Sequence, residues 1–444
     1  MHSVLTTDDL ARSSNVDQAS VLPEISVVLA AWNEGGNIRP LIERLHAAFR
    51  PLNLRYEIIV VDGGSTDSTR SEAEEMGAKC LLQRRIGYGG AVREGFLAAR
   101  GDYILTLDCD LSHPPELFTE LWKERDRADV IVGSRFVKGG DSQAPFLRKL
   151  LSEILNFTFS TLLQVPIKDS SSGYRLYRRR VLQPENYTRE NFNILQEILV
   201  QAYADGFAIK EVPLNYEERA AGKSHVSLVK FCLSYLPTLY RLWILRNSTN
   251  SADYDRRAYS SRHFLQRYWQ RRRHAIISSH AIADGLSADL GCGSSKFTQD
   301  NPDIVALDVE MHKLRFLKQS NRRRVRADCS ILPFRGAAFR QLVASQVLQN
   351  APRDSGVFRE LNRVLALGGQ LIVSVPDSRR IQWRVIGFLY HRLLPNVYSK
   401  KEQTAYGRRE LIDLFAEHGF RVVKYQYICG AELIMKLSKV AELE

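Results

Sequence analysis

The sequence predicts an α/β protein built from two doubly wound, Rossmann-like sheets, one in each half of the chain. Three observations predict it. Short apolar runs alternate with helix-length segments from Glu24 to Gly133, and the same rhythm restarts at Ser287. In both halves the apolar runs end on acids or glycines, as strands do when ligands gather at the carboxyl edge of a parallel sheet.

The elements follow in order. Ile25–Leu29 reads as a buried strand, Asn33–Asn37 as its turn and Ile38–Phe49 as a helix. Glu57–Val61 is a second strand ending at Asp62, and Ser65-Thr66-Asp67 can cap the helix that starts near Ser68. Cys80–Leu82 is a third strand, and Gly87–Arg100 a helix opened by glycines. Tyr103–Leu107 is an apolar strand that runs into Asp108 and Asp110, and Val130–Gly133 is a further short strand. In the second half, Ala288–Leu290 leads into the turn Gly291-Cys292-Gly293-Ser294-Ser295. Ile304–Leu307 ends at Asp308 and Arg324–Ala327 at Asp328; Leu342–Ser345 and Gln370–Val375 follow, and a hairpin at Gly419-Phe420 closes the fold. Arg256–Arg273 reads as a basic leading helix with Tyr268 and Trp269 packing inward. The polar run Asn247–Tyr254 is the expected linker. The expected organisation is a disordered lead-in over residues 1–22, a first domain over 23–247 and a second over 248–444.

Composition sets the partners. At 444 residues the chain is long enough for two or three cores, and its net charge of +12 favours anionic ligands: nucleotide phosphates, a lipid phosphate or an acidic membrane surface. No nucleic-acid module is visible, so nucleic acid is the poorer choice. The six cysteines have no metal or disulfide spacing and read as thiols of a reducing compartment. No apolar stretch is long enough to span a bilayer. Val226–Leu245 comes nearest, interrupted by Lys230, Pro237 and Arg241; it reads either as a kinked core helix or as an interfacial helix pair with Tyr235, Tyr240 and Trp243 at headgroup depth.

The chemistry centres on Leu105–Glu116, LTLDCDLSHPPE. Two like charges at the end of a buried strand are costly unless a cation lies between them, so Asp108 and Asp110 read as holding Mg²⁺ or Mn²⁺ that carries substrate phosphates. Asp62 can accept from a base or ribose, or cap the next helix. Glu34 beside Asn33 can orient a ribose, or be a solvated loop acid. Gly87, Gly89 and Gly90 can admit a diphosphate to the backbone, or cap a helix.

These segments, with AWNEGGNI, VDGGSTDST, IGYGGAVREG, GSRFVKGG, DSSSGYRLY and RAAGKSH in the same order, resemble glycosyltransferase family 2, and within it the dolichyl-phosphate mannosyltransferase group, from about Ile25 to Ser227. The resemblance implies a GT-A-type fold and inverting transfer of mannose or glucose from a GDP- or UDP-sugar to a polyprenyl or dolichyl phosphate, peripherally at the cytoplasmic face of a membrane. It implies nucleotide contacts from Asn33, Glu34, Asp62, Gly89, Arg93 and Asp108, and metal contacts from Asp108, Asp110 and Ser112. Asp110, Arg135 and Arg175 become the catalytic set, the two arginines serving phosphate. Arg219, Lys223 and Ser224 become the clamp on the acceptor phosphate. A surface charge cluster is the alternative for these basic groups. No general base stands in these motifs, which suits an acceptor that is already an anionic nucleophile. Asp169 is expected to orient the loop bearing Arg175. Ala30-Ala31-Trp32 and Gly63 depart from the family pattern and leave the choice of base open.

The second half, in ADLGCGSS, VALDVE, RADCSILPF and RELNRVLALGGQLIVSVP, resembles a class I S-adenosylmethionine-dependent methyltransferase of the type 11 kind. The resemblance implies cofactor contacts from Asp289, Gly291, Gly293, Asp308 and Asp328. Asp308 follows Asp289 by 19 residues, at the end of the next strand, where ribose hydroxyls can be bound. A dinucleotide site is the competitor. Ser295, Arg340 and Asn350 stand where the family commonly has glycine, aspartate and histidine, so a non-catalytic scaffold is the alternative to a second enzyme. The corresponding alternative for the whole chain is a UDP-sugar transferase acting on a surface glycan.

Overall fold

The computed structural model describes residues 22–143, 145–217, 228–282, 284–353, 356–393 and 404–443. The expected lead-in, except Leu22, and the expected acceptor clamp of Arg219, Lys223 and Ser224 lie outside the described residues. The chain divides into two compact units. One runs to Ala202 and includes Ala208–Leu239; the other comprises Tyr203–Phe207 and the chain from Tyr240.

In the first unit the elements are β1 (Ile25–Ala31), α1 (Ile38–Phe49), β2 (Tyr56–Asp62), α2 (Thr69–Glu75), β3 (Lys79–Leu82), α3 (Gly87–Ala98), β4 (Tyr103–Thr106), α4 (Phe118–Lys123), β5 (Val130–Ser134), β6 (Asp141–Ser142), α5 (Phe146–Leu163), β7 (Arg175–Arg178), α6 (Ile194–Ala204, whose last two residues group with the other unit), β8 (Ile209–Pro213) and β9 (Asn215–Tyr216). Seven strands form one sheet in the order β3-β2-β1-β4-β7-β5-β8. All are parallel except β7, which runs against both β4 and β5. The apolar strands carry helices because the helices are amphipathic: Ile38, Leu41, Ile42, Leu45 and Phe49 of α1 recur at helical spacing and bury against Ile25, Val27 and Leu29 of β1. The strand β7 has no counterpart in the sequence reading, because an arginine in a buried strand breaks the apolar pattern by which strands are recognised.

The helix α7 (Leu228–Arg246) is one continuous element with Pro237 inside it, not a helix pair. Its expected interfacial aromatics divide: Tyr235 is buried, Tyr240 is exposed and Trp243 is half-buried. The polar run after it is not an extended linker. Arg246 and Asp253, both buried, pair at 2.7 and 2.8 Å, and Ser251 joins them, so this stretch is a packed turn.

The second unit continues with α8 (Tyr254–Tyr259), α9 (Phe264–Ser278), β10 (Ser287–Leu290), α10 (Lys296–Asp300), β11 (Val305–Asp308), α11 (Met311–Phe316), β12 (Arg323–Arg326), β13 (Phe339–Ser345), α12 (Val357–Val364), β14 (Leu365–Pro376), α13 (Ile381–Leu393), α14 (Arg408–Glu417), β15 (Phe420–Ile428) and β16 (Glu432–Lys439). Its sheet runs β12-β11-β10-β13-β14-β16-β15, with β16 antiparallel to its neighbours. The expected leading helix is two helices; Trp269 packs inward, whereas Tyr268 is exposed and stacks on Phe264 instead. The closing hairpin turns at Cys429-Gly430-Ala431, later than expected, with Gly419 opening its first strand. Both α/β sheets reverse their strand order beside the first strand, between β1 and β4 and between β10 and β13. At such switch points the connections leave in opposite directions and open a crevice at the carboxyl edge.

Among the described residues five cysteines are free thiols, and no helix is long and apolar enough to cross a membrane.

Candidate active sites

In the first unit, β1, β2 and β4 end together and their loops meet. Asp62 is buried at the end of β2, where its Oδ1 accepts from the Ser65 amide at 2.9 Å and the Ser65 hydroxyl at 2.5 Å. Asn33 takes the left-handed conformation (φ 52°) that a short amide side chain tolerates. Its amide donates to Ser65 Oγ at 2.9 Å and its Oδ1 accepts from the Thr66 amide at 2.8 Å. Glu34 accepts from Asn37 Nδ2 at 2.8 Å. Asn33 therefore binds the two loops to one another, Asp62 fixes the Ser65 hydroxyl that receives the Asn33 amide, and Trp32 is exposed.

Asp108 and Asp110 follow β4. Asp110 is buried; its Oδ1 accepts from the Ser112 amide at 3.2 Å and the Ser112 hydroxyl at 2.5 Å. Ser112 thus acts on Asp110, fixing the carboxylate. The Asp108 amide donates to Nδ1 of the buried His113 at 3.0 Å, which places the ring proton on Nε2; burial pushes His113 below its ordinary value and keeps it neutral. Gly173 explains the small residue in DSSSGYRLY: a Cβ there would lie 2.9 Å from Asp108 Oδ1. The same turn is anchored by Thr106 Oγ1 donating to the Gly173 carbonyl at 2.7 Å.

The two arginines part company. Arg135 keeps an open edge at this site. Its Nε and Nη2 grip Asp169 at 2.8 Å each, and Nη2 also donates to Ser171 Oγ at 2.7 Å. Burial acts to raise the Asp169 carboxyl, but Arg135 overcomes it and holds the group below its ordinary value. Burial likewise acts to lower Arg135; the negative charge of Asp169, and to a lesser degree of Asp108, raises it above. Asp169 therefore aims Arg135 and also orders the loop leading to Arg175, accepting from the amides of Ser171 at 3.3 Å and Ser172 at 3.1 Å.

Arg175, expected on phosphate, is not free to reach it. It is fully buried, with Nε donating to the Ser172 carbonyl at 2.8 Å, Nη2 to the Ser170 carbonyl at 2.7 Å and Nη1 to the Leu195 carbonyl at 2.6 Å. A guanidinium that binds three backbone carbonyls is a brace of the fold and not a phosphate ligand. Gly89 is also used by the chain itself. A Cβ there would strike the Arg189 carbonyl oxygen and lie 2.9 Å from the Glu190 carbonyl carbon, and its amide donates to the Glu190 carbonyl at 2.7 Å. Arg93 donates from Nε to the Pro184 carbonyl at 3.1 Å.

In the second unit a cleft of about 790 Å³ opens at the switch point and is lined by Asp255, Asp289, Gly291, Gly293, Asp308 and Asp328 among others. Gly291 and Gly293 have φ of 61° and 53°, which suits glycine. Asp308 accepts from the Gly293 amide at 2.8 Å and the Glu310 amide at 2.9 Å, and burial raises its carboxyl. Asp289 is pushed up to about 7 by burial, against hydrogen bonds from Thr298 (2.5 Å) and Ser295 (3.1 Å). Ser295, at a glycine position of the family pattern, earns its place as the cap of α10, where it accepts from the Thr298 amide at 3.2 Å. Asp328 lies at the exposed rim and accepts from Ser330.

Residues missed in the sequence also shape this cleft. Asp255 accepts from the Ser294 amide at 2.9 Å, directly over the glycine turn. Arg273 lines the far wall, held at 2.6 and 2.7 Å by the buried Glu432, which also accepts from Ser374 and Gln346. Asp255 is 39 residues from Ser294 and Arg273 is 159 from Glu432, so no local pattern joins them.

Comparison with known proteins follows the same division. Residues 26–184 match the family model described as glycosyl transferase family 2, and residues 288–373 the model described as a methyltransferase domain. A dolichol-phosphate mannosyltransferase of Pyrococcus furiosus is 35% identical over 228 residues, which are 49% of this chain and 63% of that protein. A dolichyl-phosphate hexose transferase of Haloferax volcanii is 33% identical over 221 residues, 47% of this chain and 94% of that protein.

The chain belongs to glycosyl transferase family 2.

A third family relative, an undecaprenyl-phosphate 4-deoxy-4-formamido-L-arabinose transferase of Pseudomonas fluorescens, is 30% identical over 210 residues, 46% of this chain and 60% of that protein. The chain thus spans somewhat less than two thirds of the first and third of these relatives. Among the described residues no group of three or more His, Cys, Asp or Glu that could hold a metal is present. Asp108 and Asp110 supply two carboxylates, and an all-oxygen pair of this kind fits a hard divalent ion whose remaining positions are filled by substrate phosphates and water.

Proposed function

We propose that the first unit transfers a hexose from a GDP- or UDP-sugar to a polyprenyl phosphate, with inversion, at the cytoplasmic surface of a membrane, and that the second unit transfers a methyl group from S-adenosylmethionine. The observation that carries the first half is how the titratable groups around Asp108 and Asp110 are employed. His113 is buried with Nδ1 already accepting the Asp108 amide, Asp169 is locked to Arg135, and Glu34 binds Asn37. None is disposed to take a proton from a sugar hydroxyl. An acceptor that arrives as a phosphate anion needs no base: its oxygen bonds to the anomeric carbon as the bond to the diphosphate breaks, and the electron pair leaves on the nucleoside diphosphate. Asp108 and Asp110 would hold Mg²⁺ or Mn²⁺, which neutralises that leaving group. Arg135 adds a fixed positive charge, and Arg219, Lys223 and Ser224 remain assigned to the acceptor phosphate. Asn33, Glu34, Asp62, Gly89 and Arg93 remain the nucleotide-side assignments, with Gly89 and Arg93 acting through the packing of α3.

The membrane reading rests on α5. Phe146, Leu150, Ile154 and Phe157 are all exposed and recur at helical spacing, so one face of the helix is an apolar stripe with Lys149 beside it. Such a face, in a chain of net charge +12, suits the headgroup boundary of an anionic bilayer. The test is purified protein with Mg²⁺, polyprenyl phosphate in vesicles and a panel of nucleotide sugars. Lipid-phosphate-linked sugar that depends on the divalent ion is expected. Transfer to a glycan hydroxyl, with none to polyprenyl phosphate, would overturn the reading.

The cofactor assignment rests on charge. Asp255, Asp289, Asp308 and Asp328 together oppose a diphosphate and favour a sulfonium-ammonium cation, which disfavours a dinucleotide. Asp308, Asp289, Gly291, Gly293 and Asp328 would hold S-adenosylmethionine, which supplies the methyl group. Asp308→Ala is expected to weaken its binding about 30- to 1000-fold, as loss of two hydrogen bonds to a charged acceptor implies. Because Asp289 sits near 7 in the ligand-free cleft, that fold loses the corresponding stability as pH rises through about 7. A cation favours the ionised carboxylate, so affinity should rise from about pH 5 to pH 8 with release of a proton. Calorimetric titration in buffers of different ionisation enthalpy measures both effects; unchanged affinity in Asp308→Ala would refute the assignment.

A further inference from the structure

A second cavity in the methyltransferase unit, of about 230 Å³, has an unusual combination of charges. Asp377 lies immediately after the carboxyl end of β14 and lines it. Its side chain is only 4% exposed; Oδ2 accepts from the Tyr427 hydroxyl at 2.7 Å, while the buried Oδ1 has no hydrogen-bond partner. A bare buried carboxylate oxygen is costly and calls for a donor.

Arg380, Arg408 and Arg409 line the same cavity. Glu410, the other carboxylate here, is taken up by Arg379 at 2.9 Å and by Arg353. Arg380 lies 4.5 Å from the centroid of the Tyr427 ring and Arg408 lies 4.9 Å from that of Tyr425. None of the three has a carboxylate partner among the described residues. Arg408 and Arg409 are also the first two residues of α14, a helix of ten residues. Cations there oppose the positive end of the helix dipole, and the first amides of a helix are open donors. A bound anion removes that opposition. Local rules broken together at one cavity mark a place where a ligand completes the structure.

We propose that this cavity binds a small hydroxyl-bearing phosphate ester, a phosphorylated sugar, with its phosphate on Arg380, Arg408 and Arg409 and a hydroxyl donated to Asp377 Oδ1. The dual character excludes a bare anion as the best ligand, because Asp377 would repel it unless a donor intervenes. The volume lies below that of sites for larger ligands, which restricts the occupant to about the size of one sugar phosphate. The inference does not depend on the transfer reactions proposed above.

The test is calorimetric titration of the full chain with a hexose 1-phosphate, inorganic phosphate and a methyl hexoside. Hexose 1-phosphate should bind most tightly and the uncharged hexoside should not bind. Arg409→Ala, at an exposed position, should weaken hexose 1-phosphate about tenfold or more while leaving S-adenosylmethionine binding unchanged. Asp377→Asn, which keeps an oxygen for Tyr427, should weaken hexose 1-phosphate but not inorganic phosphate. A short-chain prenyl phosphohexose that binds more tightly than hexose 1-phosphate would identify a lipid headgroup as the source, and equal affinity a free sugar phosphate. No binding of hexose 1-phosphate at millimolar concentration, or affinities unchanged in both variants, would overturn the proposal.

Discussion

Asp110→Asn and Asp110→Ala are expected to abolish sugar transfer, with turnover lower by about three orders of magnitude or more and the response to Mg²⁺ lost. The nucleoside diphosphate leaves with additional negative charge, and a metal ion at that oxygen is worth several kcal/mol of barrier. Asp110 is placed for this by its own neighbours: it is buried in the turn after β4, and Ser112 holds Oδ1 through both amide and hydroxyl. The asparagine variant is the informative one. Its side-chain oxygen can keep both Ser112 contacts, so the loop survives while the charge is lost. Alanine removes both. Turnover and metal titrations on folded protein, checked by circular dichroism, separate the two effects. An asparagine variant that retains near-parental turnover would show that Asp110 merely shapes its loop.

Arg175→Ala is expected to act on folding instead. The guanidinium ties the loop before β7 to α6, reaching the carbonyls of Ser170, Ser172 and Leu195. Removing it takes this donor from three carbonyls and opens a void, and a loss of about 3 kcal/mol or more of stability follows. Arg175→Lys should recover only part, because one ammonium cannot reproduce a planar fork to three carbonyls. Denaturant titration of the parent and both variants measures this. A stable Arg175→Ala protein whose only defect is a higher KM for either substrate would return Arg175 to phosphate binding. Arg135 is the control at the neighbouring position: its replacement should impair turnover, since one edge of its guanidinium remains at the site.

The contrast between these two arginines shows where local reading stops. Both stand in family motifs, GSRF and SGYR, and both invite assignment to phosphate. Their fates differ because Arg135 ends a strand beside the Asp108 crevice, whereas Arg175 lies within β7, which is inserted antiparallel between β4 and β5. Insertion buries it on both sides. The glycine-rich helix start tells the same story: Gly89 is small because the Arg189–Glu190 backbone passes over it, a contact 100 residues away in sequence.

By itself the sequence determined two doubly wound sheets, the strands whose apolar runs are unbroken, the acids at their carboxyl ends and the family of the first half. The sheets, strands and acids are properties of periodicity and spacing, which operate over a few residues; the family follows from the resemblance of its ordered motifs. Only the tertiary structure decided that Arg175 is a brace, that Asp169 aims Arg135, that Asp255 closes over the glycine turn and that Asp377 shares a cavity with three arginines. Each depends on which segments lie side by side in a sheet or across a cleft, and burial then sets whether a charge is braced, paired or left for a ligand.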